Sequence, residues 1–366
     1  MTVPARRTIG AVGAVAALAL LVAGPAPTAS ADTHEAVPAA AEPFEIGIRA
    51  VEAVYRPLHA AFAGAAADLD GAVRAFCETS DDARLDAARR AFAEAVPAFG
   101  AIEPLRVGPL LEDNRINRAF FWPDSRRAGE RQLRALVADE APLDAAGIAG
   151  KSVALQGLPA LERLLHGDVI AADPARACRV AVPVAANVRG IADALEAAWD
   201  APEGIARAMV DTPADDPLFR SRTEVLRSLA TQLRAGLESL AGPKLLPVVE
   251  ADARSMRTLP FARSGRYAAF LGGNVDALAA LLLDAGLADA AGVAAEAKFE
   301  LGNVRRLLAK LDGELVDPTL RTLPPDAAAD TARALRAGTL AIERLLLDRV
   351  APALGTGTGF NSADGD

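Results

Sequence analysis

Hydrophobic residues recur every three or four positions along most of this chain, the spacing of one face of an α-helix. Val51, Val54, Tyr55, Leu58 and Phe62 show it early in the sequence. Alanine and leucine dominate, and the period-two alternation of strands is missing. The pattern predicts an all-α protein, with helices at about 45–78, 82–99, 126–139, 157–166, 174–199, 215–240, 264–285, 290–312 and 327–350.

The helical period breaks at residues 199–217, where prolines, a glycine and acidic residues follow one another. We therefore expect two helical bundles packed together, the first over 45–205 and the second over 206–366. Glu162 in LPALERLL and Glu343 in LAIERLLL occupy matching places. A second echo, NVR at 187–189 and 303–305, occurs in the opposite order, so an internal duplication stays an open alternative.

The amino terminus has the pattern of a secretory signal peptide over residues 1–31. Arg6 and Arg7 precede an apolar run, and Ala29, Ser30 and Ala31 form a small-residue cleavage pattern. The apolar run is short for a membrane span, so we expect export, cleavage near Ala31 and no transmembrane segment in the mature chain. Residues 32–44, rich in alanine and proline, are expected to form a flexible leader.

Charge and cysteine content narrow the choice of partner and compartment. The net charge of -9 makes nucleic acid an unsuitable partner, because no basic patch is available to neutralise phosphates. Cys77 and Cys178 are the only cysteines. An even number in an exported chain favours a disulfide between them, and the alternative is two buried free thiols.

Three segments carry most of the unusual polar residues. The first, 100–127, is the longest irregular stretch inside the folded region and ends close to Phe121-Trp122-Pro123-Asp124. Long loops in compact domains are commonly functional, although this one could simply cap one end of a bundle.

The second segment, 156–167, predicts a helix with proline in its first turn and glycine at its end. Glu162 and His166 lie four residues apart and so share a face, within reach of one metal ion or of each other. A surface ion pair is the alternative. The third segment is the glycine-rich tail, 355–366, in which Phe360 argues against a merely solvated end.

Together, FWPD at 121–124, ALQGLPALERLLHG at 154–167 and GFNSADGD at 359–366 resemble the imelysin family of secreted bacterial proteins. The resemblance implies an all-helical fold of two bundle-like domains, a periplasmic or outer-membrane location and a link to iron acquisition. It also implies metallopeptidase activity, described for the founding members. The family signature has a histidine two residues after a glycine and a glutamate three further on. Here those places hold Gly157, Pro159 and Glu162, so the histidine is absent.

An oxygen-rich set of candidate metal ligands remains, and carboxylates suit iron, calcium, magnesium or manganese better than zinc. The candidates are Glu103, Asp124, Glu162, Asp364 and Asp366, with His166 as a further one. The candidates for contact with a substrate or small ligand are Arg115, Arg118, Trp122, Asn361 and Ser362. The arginines could instead make a structural salt-bridge cluster, or a site for a small anion or a ferric chelate.

Three functions follow as hypotheses. The first is a periplasmic protein that binds iron or another metal in a groove between the bundles, with iron-uptake proteins of the envelope as partners. The second is a metal-dependent peptidase with Glu162 as general base, which the missing histidine disfavours. The third is a non-catalytic interaction scaffold whose polar motifs only cap helices and join the two halves.

Overall fold

Nine helices of eight or more residues make up most of the structure, a computed structural model. It describes residues 43–124, 126–252, 256, 258–315, 317, 319–322 and 324–356. The nine are α1 (Arg56–Thr79), α2 (Asp82–Gly100), α3 (Ala128–Ala138), α4 (Leu158–Leu165), α5 (Pro174–Asp200), α6 (Arg222–Ser239), α7 (Tyr267–Ala279), α8 (Ala294–Glu314) and α9 (Asp326–Leu345).

Shorter helical segments connect or extend these nine. The short α-helices are Pro43–Arg49, Arg115–Ala119, Ala145–Ala149, Asp168–Ala172, Ile205–Asp211, Leu246–Val249, Leu287–Ala290 and Ala351–Ala353. The π turns are Ala50–Tyr55, Leu240–Lys244, Ala280–Asp284 and Leu346–Val350, and the 3₁₀ turns are Gly108–Leu110, Glu112–Asn114 and Val153–Leu155. The described residues contain no strand, so the predicted all-α class is confirmed.

Capping side chains explain several helix starts. Asp81 accepts a hydrogen bond from the backbone N–H of Arg84 at the start of α2, and Asp173 does the same for Arg176 at the start of α5. The helix predicted at 215–240 begins only at Arg222. Ser221 is its N-cap, and its hydroxyl accepts a hydrogen bond from the backbone N–H of Glu224. Residues 215–220 are therefore not helical.

The main packing partners of α1 are α2 and α5, while α8 packs against α9. Helix α7 crosses α2, so residues from both halves of the chain share one continuous core. The crossing is close: a Cβ at Gly100 would lie 2.6 Å from the carbonyl oxygen of Phe270, and one at Gly273 would lie 2.2 Å from that of Pro97. Only glycine fits at both positions. The proposed division at 205/206 stays a prediction.

Cys77 near the end of α1 and Cys178 near the start of α5 form a disulfide, as predicted. Within the described residues, Tyr267–Asp284 has the length and hydropathy of a membrane span, but 67% of it is buried. This stretch is α7 and its π turn, which belong to the core described above.

Candidate functional site

A cavity of about 520 Å³ opens where the FWPD loop meets α4. Its walls come from five separate parts of the sequence. They are the loop residues Phe120, Phe121, Trp122 and Asp124; Arg127 and Glu130 at the start of α3; Pro159, Glu162 and Arg163 of α4; residues 258–263 before α7; and Thr319 and Arg321 between α8 and α9.

The first turn of α4 brings the Glu162 helix against the FWPD loop. Gly157 is its N-cap residue, and a Cβ there would lie 2.1 Å from the carbonyl oxygen of Ala119. Pro159 follows in the first turn, where its missing N–H costs nothing, and it lines the cavity. Gly157 therefore has a packing role, and Pro159 presents its ring to the cavity.

Glu162 is buried at the edge of the cavity, with 7% of its surface exposed. Its Oε1 accepts hydrogen bonds from the backbone N–H and the hydroxyl of Ser264, both at 2.8 Å. Burial raises the pKa of the Glu162 carboxyl, and the hydrogen bonds from Ser264 only partly oppose this shift. The two hydrogen bonds from Ser264 to Glu162 thereby connect the segment before α7 to α4.

Asp124, the last residue of the FWPD motif, organises the start of α3. Its Oδ1 accepts from the backbone N–H of Ala128 at 2.7 Å, and its Oδ2 from that of Gly129 at 3.0 Å. Arg163 of α4 contacts the same Oδ2 at 3.1 Å. Asp124 therefore caps one helix and links it to another.

Aromatic rings form the apolar wall of the cavity. Phe120 stacks on Trp122 and on Phe261, with ring centroids 5.9 and 5.5 Å apart. The indole N–H of Trp122 donates to the carbonyl oxygen of Thr258 at 2.7 Å. This bond fixes the ring of Trp122 against the segment that precedes α7.

Four arginines and three carboxyl groups line the cavity. Arg127 pairs with Glu130 at 2.6 Å, and Arg163 pairs with Asp124. Arg263 and Arg321 make no side-chain ion pair or hydrogen bond with any described residue. Four guanidinium groups face only three carboxyl groups, so the lining carries an excess of positive charge.

A turn organised by Asp317 holds Arg321 at the cavity. Its carboxylate accepts from the backbone N–H groups of Thr319 at 3.0 Å, Arg321 at 2.9 Å and Thr322 at 3.0 Å. Hydrogen bonds from Thr319 and from these amides lower the pKa of Asp317 to about 2. The turn is therefore ordered by its own residues.

Among the described residues, the side chains that line the cavity do not form a metal site. Within the described part of the chain, no group of three or more His, Cys, Asp or Glu residues is arranged to hold one. Both oxygens of Asp124 and the Oε1 of Glu162 already accept hydrogen bonds from protein donors. The candidate ligands Asp364 and Asp366, like Asn361 and Ser362, lie outside the described residues.

Glu103 lies behind the aromatic wall, away from the cavity. Its Oε2 is 2.6 Å from the Nζ of Lys244, and both side chains are fully buried. Asn274 accepts a hydrogen bond from the same ammonium at 2.7 Å. Lys244 lies 5.2 Å from the ring of Phe270, and that ring contacts the wall residues Phe120 and Phe261, so the ion pair lies behind the aromatic wall. The structure thus places Glu103 in a buried ion pair instead of among cavity ligands.

Arg115, Arg118 and His166 also lie outside the cavity lining. Arg115 donates to the carbonyl oxygen of Pro109 at 2.8 Å, and Arg118 donates to Gln156 at 2.8 Å. His166 packs its ring on Phe92, with centroids 5.5 Å apart. Burial and nearby arginines lower the pKa of His166 to about 4, so it is neutral at pH 7. Of the predicted set, Asp124, Glu162 and Trp122 line the cavity.

Sequence reasoning missed two of the contributing segments, residues 258–263 and the turn at Thr319 and Arg321. Pro260, just before α7, was an available signal for an irregular segment. No short motif marks the Asp317 turn, because a single side chain organises it.

Known proteins match this chain in family and in fold. The imelysin family model, Peptidase_M75, matches residues 55–346. An imelysin-like protein from Psychrobacter arcticum 273-4 superimposes with a TM-score of 0.67 at 18% identity, covering 87% of this chain and 97% of that one. A "putative iron-regulated protein A precursor" from Parabacteroides distasonis ATCC 8503 gives 0.68 at 13% identity, covering 85% and 96%.

No curated protein matches the chain in sequence. At these identities the two solved structures show a shared fold only. The family match spans the FWPD loop, the Glu162 helix and α5 to α9, and this chain belongs to the imelysin family.

Proposed function

We propose that this protein is an exported, non-catalytic binding protein of the imelysin type that serves iron acquisition through the cavity at the FWPD loop. The observation that supports this proposal is that loop residues 120–124 and α4 line the same cavity of about 520 Å³. Cavities of this size, with aromatic walls and a few fixed polar groups, are typical of small-molecule sites. Support for an iron-related role comes from the name of the Parabacteroides protein, which describes it as iron-regulated.

Export is proposed from the signal-peptide pattern of residues 1–31, and the word "precursor" in the name of the same neighbour is in keeping with it. The periplasm, or the outer membrane facing it, is the location proposed for the mature protein. Envelope proteins of iron uptake are its proposed partners.

Calorimetric titration of the purified exported protein tests this function. The ligands are ferrous, ferric, zinc and calcium ions and ferric citrate, each with a parallel thermal-unfolding curve. We expect heat and a raised melting temperature with an iron-containing ligand, since saturation at 100 times Kd stabilises the folded state by about 2.7 kcal/mol. Absence of both signals with every form of iron overturns the proposal.

A metal-dependent peptidase is the second candidate, and the raised pKa of Glu162 at the cavity edge is the observation in its favour. Glu162→Gln separates the two functions, because the amide oxygen can still accept both hydrogen bonds from Ser264. Chelator-sensitive cleavage of a protein substrate that disappears in this variant would establish the peptidase. Binding that persists in the variant, without any cleavage by the wild type, supports the binding protein.

A further inference from the structure

We infer that the cavity recognises a polycarboxylate, either free or as its ferric chelate, through Arg263 and Arg321, and does not bind a bare metal cation. The inference rests on the proposed function in taking the same cavity as the ligand site. It adds the chemical class of the ligand and two residues that bind it.

Charge is the first argument. The two ion pairs Arg127–Glu130 and Arg163–Asp124 neutralise four of the seven charged groups that line the cavity. Arg263 and Arg321 form no ion pair with a described carboxylate, and the remaining carboxyl, Glu162, interacts with the charge of Arg263 only at longer range. This surplus repels a free cation and attracts an anion.

Geometry is the second argument, because the two arginines come from different segments. Arg263 precedes Ser264, whose backbone and hydroxyl are bonded to Glu162. Arg321 belongs to the turn organised by Asp317. Both backbones are thus held by bonds within the protein, which lowers the ordering cost of ligand binding. Two guanidinium groups on separate segments suit a ligand with more than one carboxylate.

The aromatic wall is the third argument. Phe120, Trp122 and Phe261 form an apolar surface beside the arginines. Such a surface can cover the carbon skeleton of an organic acid and exclude water, and charge-assisted hydrogen bonds are stronger where water is excluded. The rings offer apolar surface, and a small hydrated metal ion has no carbon skeleton to bury against it.

The test compares citrate, ferric citrate, ferrous chloride and calcium chloride by calorimetry. The variants are Arg263→Gln, Arg321→Gln and the double variant, with Arg333→Gln as a matched control on the exposed face of α9, where Arg333 pairs with Asp330. We expect each single cavity variant to weaken citrate or ferric citrate binding by roughly tenfold or more, and the control by less than threefold. Raising the salt concentration should weaken wild-type binding.

Circular dichroism melting of each variant verifies folding, and Arg263→Lys and Arg321→Lys, which keep the charge, should recover part of the affinity. Wild-type affinity in the double variant overturns the inference. Tight binding of ferrous iron alone, independent of both arginines, also overturns it but leaves the proposed iron function standing. Equal affinity for citrate and ferric citrate supports the polycarboxylate site and shows that it does not select the iron-loaded form. Failure of every ligand to bind the wild type overturns both.

Discussion

Glu103 and Glu162 are both buried glutamates, but their surroundings shift their pKa values in opposite directions. Burial opposes the charge of Glu103, yet the charges of Lys244 and Arg106 lower its pKa below the usual range. Glu162 has no ammonium in contact, so burial dominates and raises its pKa. Glu103 therefore stabilises the fold above its unfolded pKa and loses this effect as the pH falls. Glu162 contributes stability at low pH, which is lost as the pH rises through its folded pKa.

Replacing Glu103 with glutamine should lower the free energy of unfolding by about 3 kcal/mol at pH 7, because it leaves the ammonium of Lys244 buried without a counter-charge. Urea denaturation at pH 7 and pH 4 provides the measurement. The loss of stability should be smaller at pH 4, because protonation of Glu103 begins to remove the same ion pair from the wild type. Adding Lys244→Met to Glu103→Gln should restore part of the stability. Equal stability of wild type and Glu103→Gln would show that the pair contributes nothing.

Glu162→Gln should leave the protein as stable as the wild type, or more stable, at pH 8. The substitution removes a carboxyl that burial disfavours in its charged form, while the acceptor for Ser264 remains. Thermal unfolding across pH 5 to 8 measures this, and the difference from wild type should grow as the pH rises. A large loss of stability at pH 8 would contradict the raised pKa of Glu162.

At the scale of elements, the sequence predicts the long helices but only some of the segments that line the cavity. Hydrophobic periodicity locates all nine long helices, because each buries a continuous stripe along its length. The helix predicted from 215 starts at Arg222, since the Asp216 side chain bonds to the backbone N–H groups of Leu218 and Phe219 instead. The sequence shows no hydrophobic periodicity at residues 258–263 or in the Asp317 turn. Their place at the site depends on tertiary contacts.

Asp317→Ala should weaken binding at the cavity by about three- to tenfold, because the turn that presents Arg321 loses its common acceptor. The melting temperature should change little, since the turn is exposed. Asp317→Asn keeps one acceptor oxygen and serves as the graded control. Calorimetry with ferric citrate measures the affinity. Since the pKa of Asp317 is about 2, this residue stays ionised at pH 4, and its protonation should not weaken wild-type binding between pH 7 and pH 4. Unchanged affinity in Asp317→Ala would remove the turn from the site.

For the whole molecule, the disulfide between α1 and α5 is a long-range constraint that the sequence predicts. Only two cysteines exist, so composition determines their pairing once the compartment is oxidising. The helices they join also pack directly against each other in the core. The sequence does not predict which other helices meet, because crossings such as Gly100 against Gly273 depend on shape complementarity over the whole core.

Removing the disulfide should lower the free energy of unfolding by about 2–5 kcal/mol, because the bond closes a loop of 101 residues in the unfolded chain. The measurement is urea denaturation of the wild type, oxidised and reduced, and of the Cys77→Ser/Cys178→Ser double variant. Reduction should move the wild-type midpoint to that of the double variant and leave the variant unchanged. Since α1 and α5 stay packed through their apolar faces, the variant should still fold and bind ligand. Identical midpoints for oxidised and reduced wild type would show that helix packing alone holds these two helices together.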